Sequence, residues 1–217
     1  MTDEYYNRGT DWSQLDLEEI GRRSNTDKYR QGYLPHYEKH LKKHRQDAIN
    51  IVELGVRSGQ SLLMWQRYFP QATVWGVDID PACMEFHDPE HRVHVLIADQ
   101  RDAHTLLHNL PTTAQLVLDD ASHLTQWSMK SFDILWPSVD WGGLYVVEDI
   151  HCAAQKRPMD RITPAAGSVL DVDEDERCND VSDLYSWMGQ LGSMVWCGQA
   201  ARLEVFSMHM TITKPTR

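Results

Sequence analysis

The sequence predicts an α/β protein with an open, mostly parallel sheet, and three patterns indicate this fold class. Short apolar runs with strand character alternate with helix-length segments between residues 48 and 150. Successive runs end abruptly in acidic residues, which is typical of buried parallel strands whose C-terminal ends form a functional edge. Two alternating runs at 202–206 and 210–214 indicate an antiparallel pair. We therefore expect right-handed helical crossovers and a C-terminal hairpin.

Each strand of the predicted sheet is an apolar run followed by a polar turn. The first strand lies within residues 48–56 and leads into a helix that continues to Tyr68 and is closed by Pro70. The later elements repeat this alternation. In chain order they are strands near 73–77 and 92–97, a helix over 103–110, strands near 116–120 and 143–147 with one helix between them, and a helix over 182–196.

Length and composition favour one soluble domain. The chain has 217 residues, of which 41% are hydrophobic and 24% charged, so it can bury a substantial core. A formal net charge of -11 argues against a nucleic-acid partner and gives no reason to expect an anionic membrane partner. No apolar run approaches membrane-spanning length, and the N-terminus is polar. We expect a single domain over 1–217, located in the cytoplasm and containing free thiols.

Two segments outside the predicted sheet are assigned to the periphery. Residues 1–45 are expected to form an N-terminal helical cap that includes a helix from about Pro35 to residue 45. Residues 150–180 show little periodicity and are expected to form a lid loop, because a long loop inside a compact domain is usually functional. The acidic stretch at 171–176 lacks the glycine that a calcium loop requires, so we interpret it as solvated.

Three histidines, His36, His40 and His44, recur at i, i+4 and i+8 on the predicted N-terminal helix. This spacing is compatible with a zinc pair on one helix face. The flanking Lys39 and Lys43 oppose cation binding by charge repulsion. The sequence therefore favours a solvated helix face over a metal site.

The turn after the first strand combines an acidic residue, Glu53, with two glycines, Gly55 and Gly59. Glycine lets the backbone approach a ligand closely, and this spacing differs from the dinucleotide fingerprint. Asp78 ends the second strand, where a carboxylate can accept both hydroxyls of a ribose. Asp99 ends the third, beside the place where an adenine would lie. Each feature alone has a structural explanation, but together they predict a nucleoside-binding edge.

Two further strand ends carry acidic residues that could meet a divalent cation. Asp120 follows one strand, with His123 about one helical turn beyond it, and Glu148 and Asp149 follow the next. All-oxygen ligation suits a hard ion such as Mg²⁺, and histidine titrates near working pH. Helix capping and exposed strand ends are the structural alternatives. Asp119 could bind the cation directly, or it could hold Asp120 in position without contacting the cation.

The pattern acidic-x-Gly-x-x-x-Gly resembles the first motif of S-adenosylmethionine (AdoMet)-dependent class I methyltransferases. The resemblance implies a Rossmann-like, seven-stranded sheet in which an antiparallel last strand pairs with the sixth. A longer set of motifs is similar to the metal-dependent sugar O-methyltransferases of macrolide and polyketide biosynthesis. The motifs run in the order Thr26-Asp-Lys-Tyr29, Tyr33, Tyr37-Glu38, Glu53-Leu-Gly-Val56, Ser61-Leu62, Met64-Trp65, Asp119-Asp120, Ser122-His123, Gly142-Gly143, Tyr145 and Glu148-Asp149.

This resemblance assigns roles to residues of the chain. It implies that Asp120, Glu148 and Asp149 bind Mg²⁺ and that His123 is the catalytic base. Two positions depart from the family pattern, because Gln60 and Ala121 stand where glycines are common. Both changes are small enough to keep the backbone path. The complete set of expected AdoMet-binding residues is Glu53, Gly55, Gly59, Ser61, Asp78, Asp99 and Gln100.

The predicted function is AdoMet-dependent, Mg²⁺-dependent O-methylation of a sugar hydroxyl on a glycosylated natural product, as in antibiotic biosynthesis. We expect a small-molecule glycoside as partner, no nucleic acid or membrane, and a homo-oligomer. A catechol-type methyltransferase is an alternative, although such enzymes usually have an Asn as last metal ligand and a Lys base. A non-catalytic module with this fold is a second alternative, which an intact acid–histidine constellation disfavours.

Overall fold

The computed structural model describes residues 10–154 and 179–216, which form one seven-stranded sheet with helices packed on both faces. The spatial strand order is β3-β2-β1-β4-β5-β7-β6. Strands β1 to β5 are mutually parallel, and β7 runs antiparallel to both of its neighbours, β5 and β6. The strands are β1 (Asn50–Leu54), β2 (Thr73–Asp78), β3 (Val93–Ile97), β4 (Ala114–Asp119), β5 (Val139–Val147), β6 (Arg202–Val205) and β7 (Met210–Thr213).

The α-helices alternate with the strands through the centre of the chain and add a group before β1. Several begin at side-chain caps, which satisfy backbone N–H groups that the helix leaves free. Asp16 caps the first helix and Thr26 the second. The helices are α1 (Leu17–Ser24), α2 (Asp27–Gln31), α3 (Leu34–Leu41), α4 (Gln60–Tyr68), α5 (Ala103–Asn109), α6 (Thr125–Leu135) and α7 (Val181–Trp196).

Two hydrophobic cores lie on opposite faces of the sheet, because successive strand side chains point in opposite directions. On β1, Ile51 joins one core and Val52 the other. The first core is closed by α1, α3 and α4, including the fully buried Trp65. The second is closed by α5, α6 and α7, and it includes the buried Trp187. Burial on both faces explains why the central strands read as continuous apolar runs.

Most predicted elements are confirmed within a few residues, and two local predictions are wrong. The sequence predicts a loop over residues 25–28, but Asp27 and Lys28 begin α2, because the Thr26 hydroxyl accepts a hydrogen bond from the Lys28 N–H. His36 and His40, expected on a solvated face, lie half-buried against the C-terminal hairpin. Most of the expected lid loop, including 171–176, lies outside the described residues. Within the described ranges, no helix is long and apolar enough to cross a membrane.

Candidate active site

A cavity of about 780 Å³ opens at the C-terminal ends of the parallel strands. Parallel strands place the loops that follow them along one edge, so residues distant in sequence meet there. The cavity wall includes most of the predicted site residues, namely Gly55, Ser61, Asp78, Asp99, Gln100, Asp120, His123 and Asp149. Glu53, Gly59 and Glu148 are not part of its lining. The structure thus joins the expected cofactor and metal regions in one cavity.

The glycine turn after β1 is shaped by neighbouring protein atoms. Gly55 has φ +94°, and a Cβ on it would collide with the backbone carbonyl of Asp120. Gly59 has φ +70°, and its missing Cβ would meet the ring of Phe86. Glycine is required at both positions because side chains there would overlap the protein itself. The expected reason, close approach to a ligand, is therefore incomplete.

Asp78 holds this turn in place from the end of β2. Its Oδ2 accepts hydrogen bonds from the backbone N–H groups of Val56 and Arg57, at 2.8 and 2.9 Å. Its Oδ1 accepts one from the Asp80 N–H at 2.9 Å. The carboxylate is therefore partly committed to backbone donors, while it still lines the cavity.

The loop after β3 contributes Asp99 and Gln100. Burial would raise the pKa of Asp99, but hydrogen bonds from Arg101 hold that pKa below its ordinary value. The Arg101 guanidinium lies 3.8 Å from the ring centre of Trp127, which closes the cavity on this side. Gln100 accepts a hydrogen bond from the Ser122 N–H at 3.1 Å and so supports the loop that carries His123.

Lys28 is buried at the centre of a cluster of carboxylates, with 1% of its surface exposed. Its Nζ lies 2.6 Å from Asp120 Oδ2, 2.7 Å from Glu148 Oε2 and 3.1 Å from Glu53 Oε1. Burial alone would lower the pKa of the ammonium, but the three carboxylates outweigh it and raise the pKa well above its ordinary value. Lys28 therefore stays charged and links Glu53, at the predicted cofactor turn, to the predicted metal ligands Asp120 and Glu148.

Glu53 is fully buried behind the cavity wall. Besides the Lys28 ion pair, its Oε2 accepts a hydrogen bond from the indole N–H of Trp65 at 3.0 Å. Burial raises its pKa, and the positive charge of Lys28 acts against that rise. The role of Glu53 as a direct cofactor ligand stays a prediction. Its observed contacts, to Lys28 and Trp65, hold the end of β1 in place beneath the glycine turn.

Two tyrosines from the N-terminal helices hold the acids that follow β5. The Tyr33 hydroxyl donates to Asp149 Oδ1 at 2.6 Å, and the Tyr37 hydroxyl donates to Glu148 Oε1 at 2.6 Å. Burial raises the pKa of Glu148 well above its ordinary value; Lys28 opposes this shift. Glu148 therefore faces Lys28 and Tyr37, whereas Asp149 faces the cavity.

Asp120, His123 and Asp149 form the exposed edge of the cluster. His123 Nδ1 lies 4.0 Å from Asp120 Oδ1, and its Nε2 lies 3.8 Å from Asp149 Oδ2. His123 and Asp149 have φ of +56° and +54°, a conformation that costs energy for residues with side chains. The Asn179 amide donates to the His123 carbonyl at 2.8 Å and so stabilises this strained loop.

The residues present fit a divalent cation. Asp120, His123 and Asp149 each offer a ligand atom within 4.8 Å of the others. His123 Nδ1 is buried and has no hydrogen-bond partner among the described residues. Glu53, Asp120 and Glu148 surround Lys28, and one ammonium balances only one of these carboxylates. An added cation would reduce the remaining repulsion.

Asp119 lies on the opposite side of β4 from this cluster. It is buried, and its carboxylate accepts long hydrogen bonds of 3.4 Å from the Gln100 amide and the Ala121 N–H. Burial raises its pKa to about 6. Asp119 therefore braces the loop after β4, in line with the supporting role that the sequence left open.

Sequence reasoning missed Lys28, Asn179 and the specific roles of Tyr33 and Tyr37. Lys28 belongs to the Thr26–Tyr29 motif of the family resemblance, which was a usable signal, but its residue type suggests exposure. Tyr33 and Tyr37 belong to the same motif set, but their residue type is equally typical of core packing. Asn179 offered no signal, because its contacts to the His123 loop depend on the chain path after residue 178.

The curated relatives that match this chain are all longer than it. No model of a known protein family matches. The chain is 39% identical over 127 residues to the 8-demethyl-8-alpha-L-rhamnosyl tetracenomycin-C 2'-O-methyltransferase of Streptomyces olivaceus, covering 54% of this chain and 33% of that protein. It is 34% identical over 151 residues to the mycinamicin VI 2''-O-methyltransferase of Micromonospora griseorubida, covering 64% and 37%. The chain thus spans about a third of these relatives' length.

Solved structures agree with the sequence comparison. The MycE methyltransferase of the mycinamycin pathway, in complex with Mg, SAH and mycinamycin VI, superposes with a TM-score of 0.70 at 26% identity. That match covers 93% of this chain and 55% of the neighbour. A caffeoyl-CoA O-methyltransferase-like structure from Staphylococcus aureus, at 12% identity and a TM-score of 0.59, shares the fold alone. The fold class and the family resemblance predicted from the sequence are confirmed.

Proposed function

We propose that this chain, which has the class I methyltransferase fold and is homologous to sugar O-methyltransferases of macrolide and polyketide pathways, transfers a methyl group from AdoMet to a sugar hydroxyl. One observation carries the proposal. Asp120, His123 and Asp149 line the same cavity as the glycine turn and Asp78, so a base and a cation site face the cofactor region. The relatives' names supply the acceptor class, a glycosylated small molecule.

In this proposal His123 accepts the proton of the acceptor hydroxyl. Histidine suits the task because an imidazole nitrogen can accept a proton near neutral pH, and the His123 side chain lines the cavity. The ring is positioned by the strained loop that Asn179 and Gln100 support. A base held in a rigid loop loses little entropy when the acceptor arrives.

Asp120 and Asp149 would hold a divalent cation such as Mg²⁺, and Glu148 stays a predicted third ligand because its carboxylate faces Lys28 in the structure. When bound, the cation lowers the pKa of the acceptor hydroxyl, and AdoMet supplies a methyl group already activated by its sulfonium charge. Tyr33 orients Asp149 through its 2.6 Å hydrogen bond, and Lys28 orients Asp120. These contacts restrict where both carboxylates can point.

The cofactor region is assigned on the same basis. We infer that Gly55, Ser61, Asp78 and Asp99 face AdoMet, because all four line the cavity near the ends of β1 to β3. Gln100 lines it too, although its amide NH₂ donates to the Ser131 hydroxyl on α6 and its amide oxygen accepts from the Ser122 N–H. A homo-oligomer and a lid over 150–180 stay predictions of the sequence.

The test separates cofactor binding from chemistry. Calorimetry with S-adenosylhomocysteine should detect binding to the wild type and to His123→Ala alike. Transfer of labelled methyl from AdoMet to glycosides, with mycinamicin VI as a first probe, should fall roughly 10²–10⁴-fold in His123→Ala. His108→Ala changes an exposed histidine of α5 and serves as the matched control. Full transfer by His123→Ala would refute the assigned base, and absence of nucleoside binding would refute the cofactor.

A further inference from the structure

A second group of metal-ligating side chains lies away from the cavity, where α3 meets the C-terminal hairpin. His36 and His40 are one helical turn apart on α3, so their side chains share a face. Glu204 on β6 approaches the same face. Each of the three offers a ligand atom within 4.8 Å of the others, and none of them lines the cavity.

The facing atoms of this group lack ordinary partners. His40 Nε2 and Glu204 Oε2 approach to 3.1 Å, yet both are buried without a hydrogen bond among the described residues. Buried polar atoms are almost always paired, so two unsatisfied atoms facing each other need an explanation.

The side chains around the group hold its members in position. His36 Nε2 lies 3.1 Å from the Thr211 hydroxyl. The centre of the His36 ring lies 4.5 Å from that of Phe206 and 5.0 Å from that of His209. Such outer contacts fix the orientation of metal-binding histidines. Lys39 and Arg202 lie 3.9 and 3.7 Å from Glu204 Oε1. They engage the oxygen that does not face His40, which leaves Oε2 for a ligand.

We propose that His36, His40 and Glu204 form a second metal site, for a borderline transition ion of the Zn²⁺ class. Two imidazoles and one carboxylate suit Zn²⁺, whereas the carboxylate-rich group at Asp120 suits a harder ion. Three protein ligands leave a fourth position for water. A bound ion would link α3 to β6, and so connect the N-terminal helices to the edge strand of the sheet.

The test measures the ion by itself and needs no methyl transfer. Co²⁺ absorption, displaced by Zn²⁺, is recorded on the full chain in excess Mg²⁺, which favours filling the hard-ion group first. We expect one tight equivalent in the wild type and at least about a 10-fold weaker affinity in His40→Ala and in the nearly isosteric Glu204→Gln. Zn²⁺ should also raise the melting temperature of the wild type more than that of either variant.

The chain contains matched controls. His44→Ala removes the next histidine along, which pairs with Asp47 outside the group. His108→Ala breaks His104–His108, another i, i+4 pair, which is exposed. Both controls should bind like the wild type. Unchanged binding in His40→Ala and Glu204→Gln would overturn the proposal. Loss of binding in Asp149→Asn alone would also overturn it, because the ion would then lie in the cavity. A thiolate absorption band would overturn it as well, because the ion would then be bound by a cysteine.

Discussion

Replacing Lys28 by methionine removes the charge that three carboxylates share, two of them buried. Methionine keeps most of the volume of the side chain but leaves Glu53, Asp120 and Glu148 without their common ammonium. Removing one partner of a buried ion pair costs about 3–5 kcal/mol, because a buried charge is left uncompensated. A stability of about 5–15 kcal/mol is typical of single domains, so Lys28→Met should lose a large fraction of it.

The expected loss is measurable by urea titration of tryptophan fluorescence in the presence of a chelator. A loss of about 3–5 kcal/mol corresponds to a fall of about 6–20 °C in melting temperature for a chain of this size. Added Mg²⁺ should restore part of the stability, since a second cation can balance the same carboxylates. Lys43→Met, at an exposed lysine, provides the control for losing a charge.

The pH dependence gives a second criterion for Lys28→Met. Without the ammonium, burial and mutual repulsion raise the folded-state pKa of these carboxyls above their unfolded values, as burial already does for Glu148. The unfolded chain then binds fewer protons than the folded one, so stability falls as pH rises through the folded pKa. The variant should therefore be closest to the wild type at low pH. A variant that loses less than about 1 kcal/mol at pH 8 would refute the ion cluster.

Three further outcomes are expected. Tyr33→Phe should weaken Mg²⁺ binding measured by calorimetry, because a hydrogen bond to a charged group is worth about 1.5–3 kcal/mol in holding Asp149; equal affinity would disprove this role. Gly55→Ala should lower the free energy of unfolding, measured by urea titration, by more than about 1 kcal/mol, since φ +94° and the Asp120 carbonyl both oppose a Cβ. An unchanged free energy of unfolding would contradict the packing. Burial, and after it the Asp78 carboxylate, raise the pKa of Cys83 to about 12. Alkylation of Cys83 at pH 8, followed by peptide mass spectrometry, should therefore be about 10³-fold slower than alkylation of a thiol of pKa 9, and its rate should increase about tenfold per pH unit. Rapid labelling would argue against the raised pKa.

The sheet and the cavity wall were predictable because their signals are local. An apolar run that ends in an acid identifies a parallel strand and its functional end, and Asp78, Asp99 and Asp120 all lie there. Parallel topology then brings those ends together without further information. The same logic placed His123 and Asp149 beside Asp120.

The features that sequence reasoning missed depend on distant partners. Lys28 is buried because Asp120 and Glu148, 92 and 120 residues later, supply opposite charges. His36 is half-buried because the hairpin that carries Thr211, 175 residues later, docks on α3. Periodicity within a helix identifies its apolar face, but it cannot show that a polar face will be covered. The amino-acid types lysine and histidine therefore pointed towards solvent in both cases.

Lys28 also explains why the N-terminal helices belong to the active-site architecture. Helix α2 carries Lys28 into the carboxylate cluster, while the preceding Asn25, Thr26 and Asp27 line the cavity. The position of α2 and the acid cluster are therefore energetically coupled, because neither the ammonium nor the carboxylates can be buried alone at low cost. A change in charge at Asp120 or Glu148, such as binding of a cation, would alter how firmly α2 closes this wall. The cofactor side and the cation side of the cavity are coupled through that one side chain.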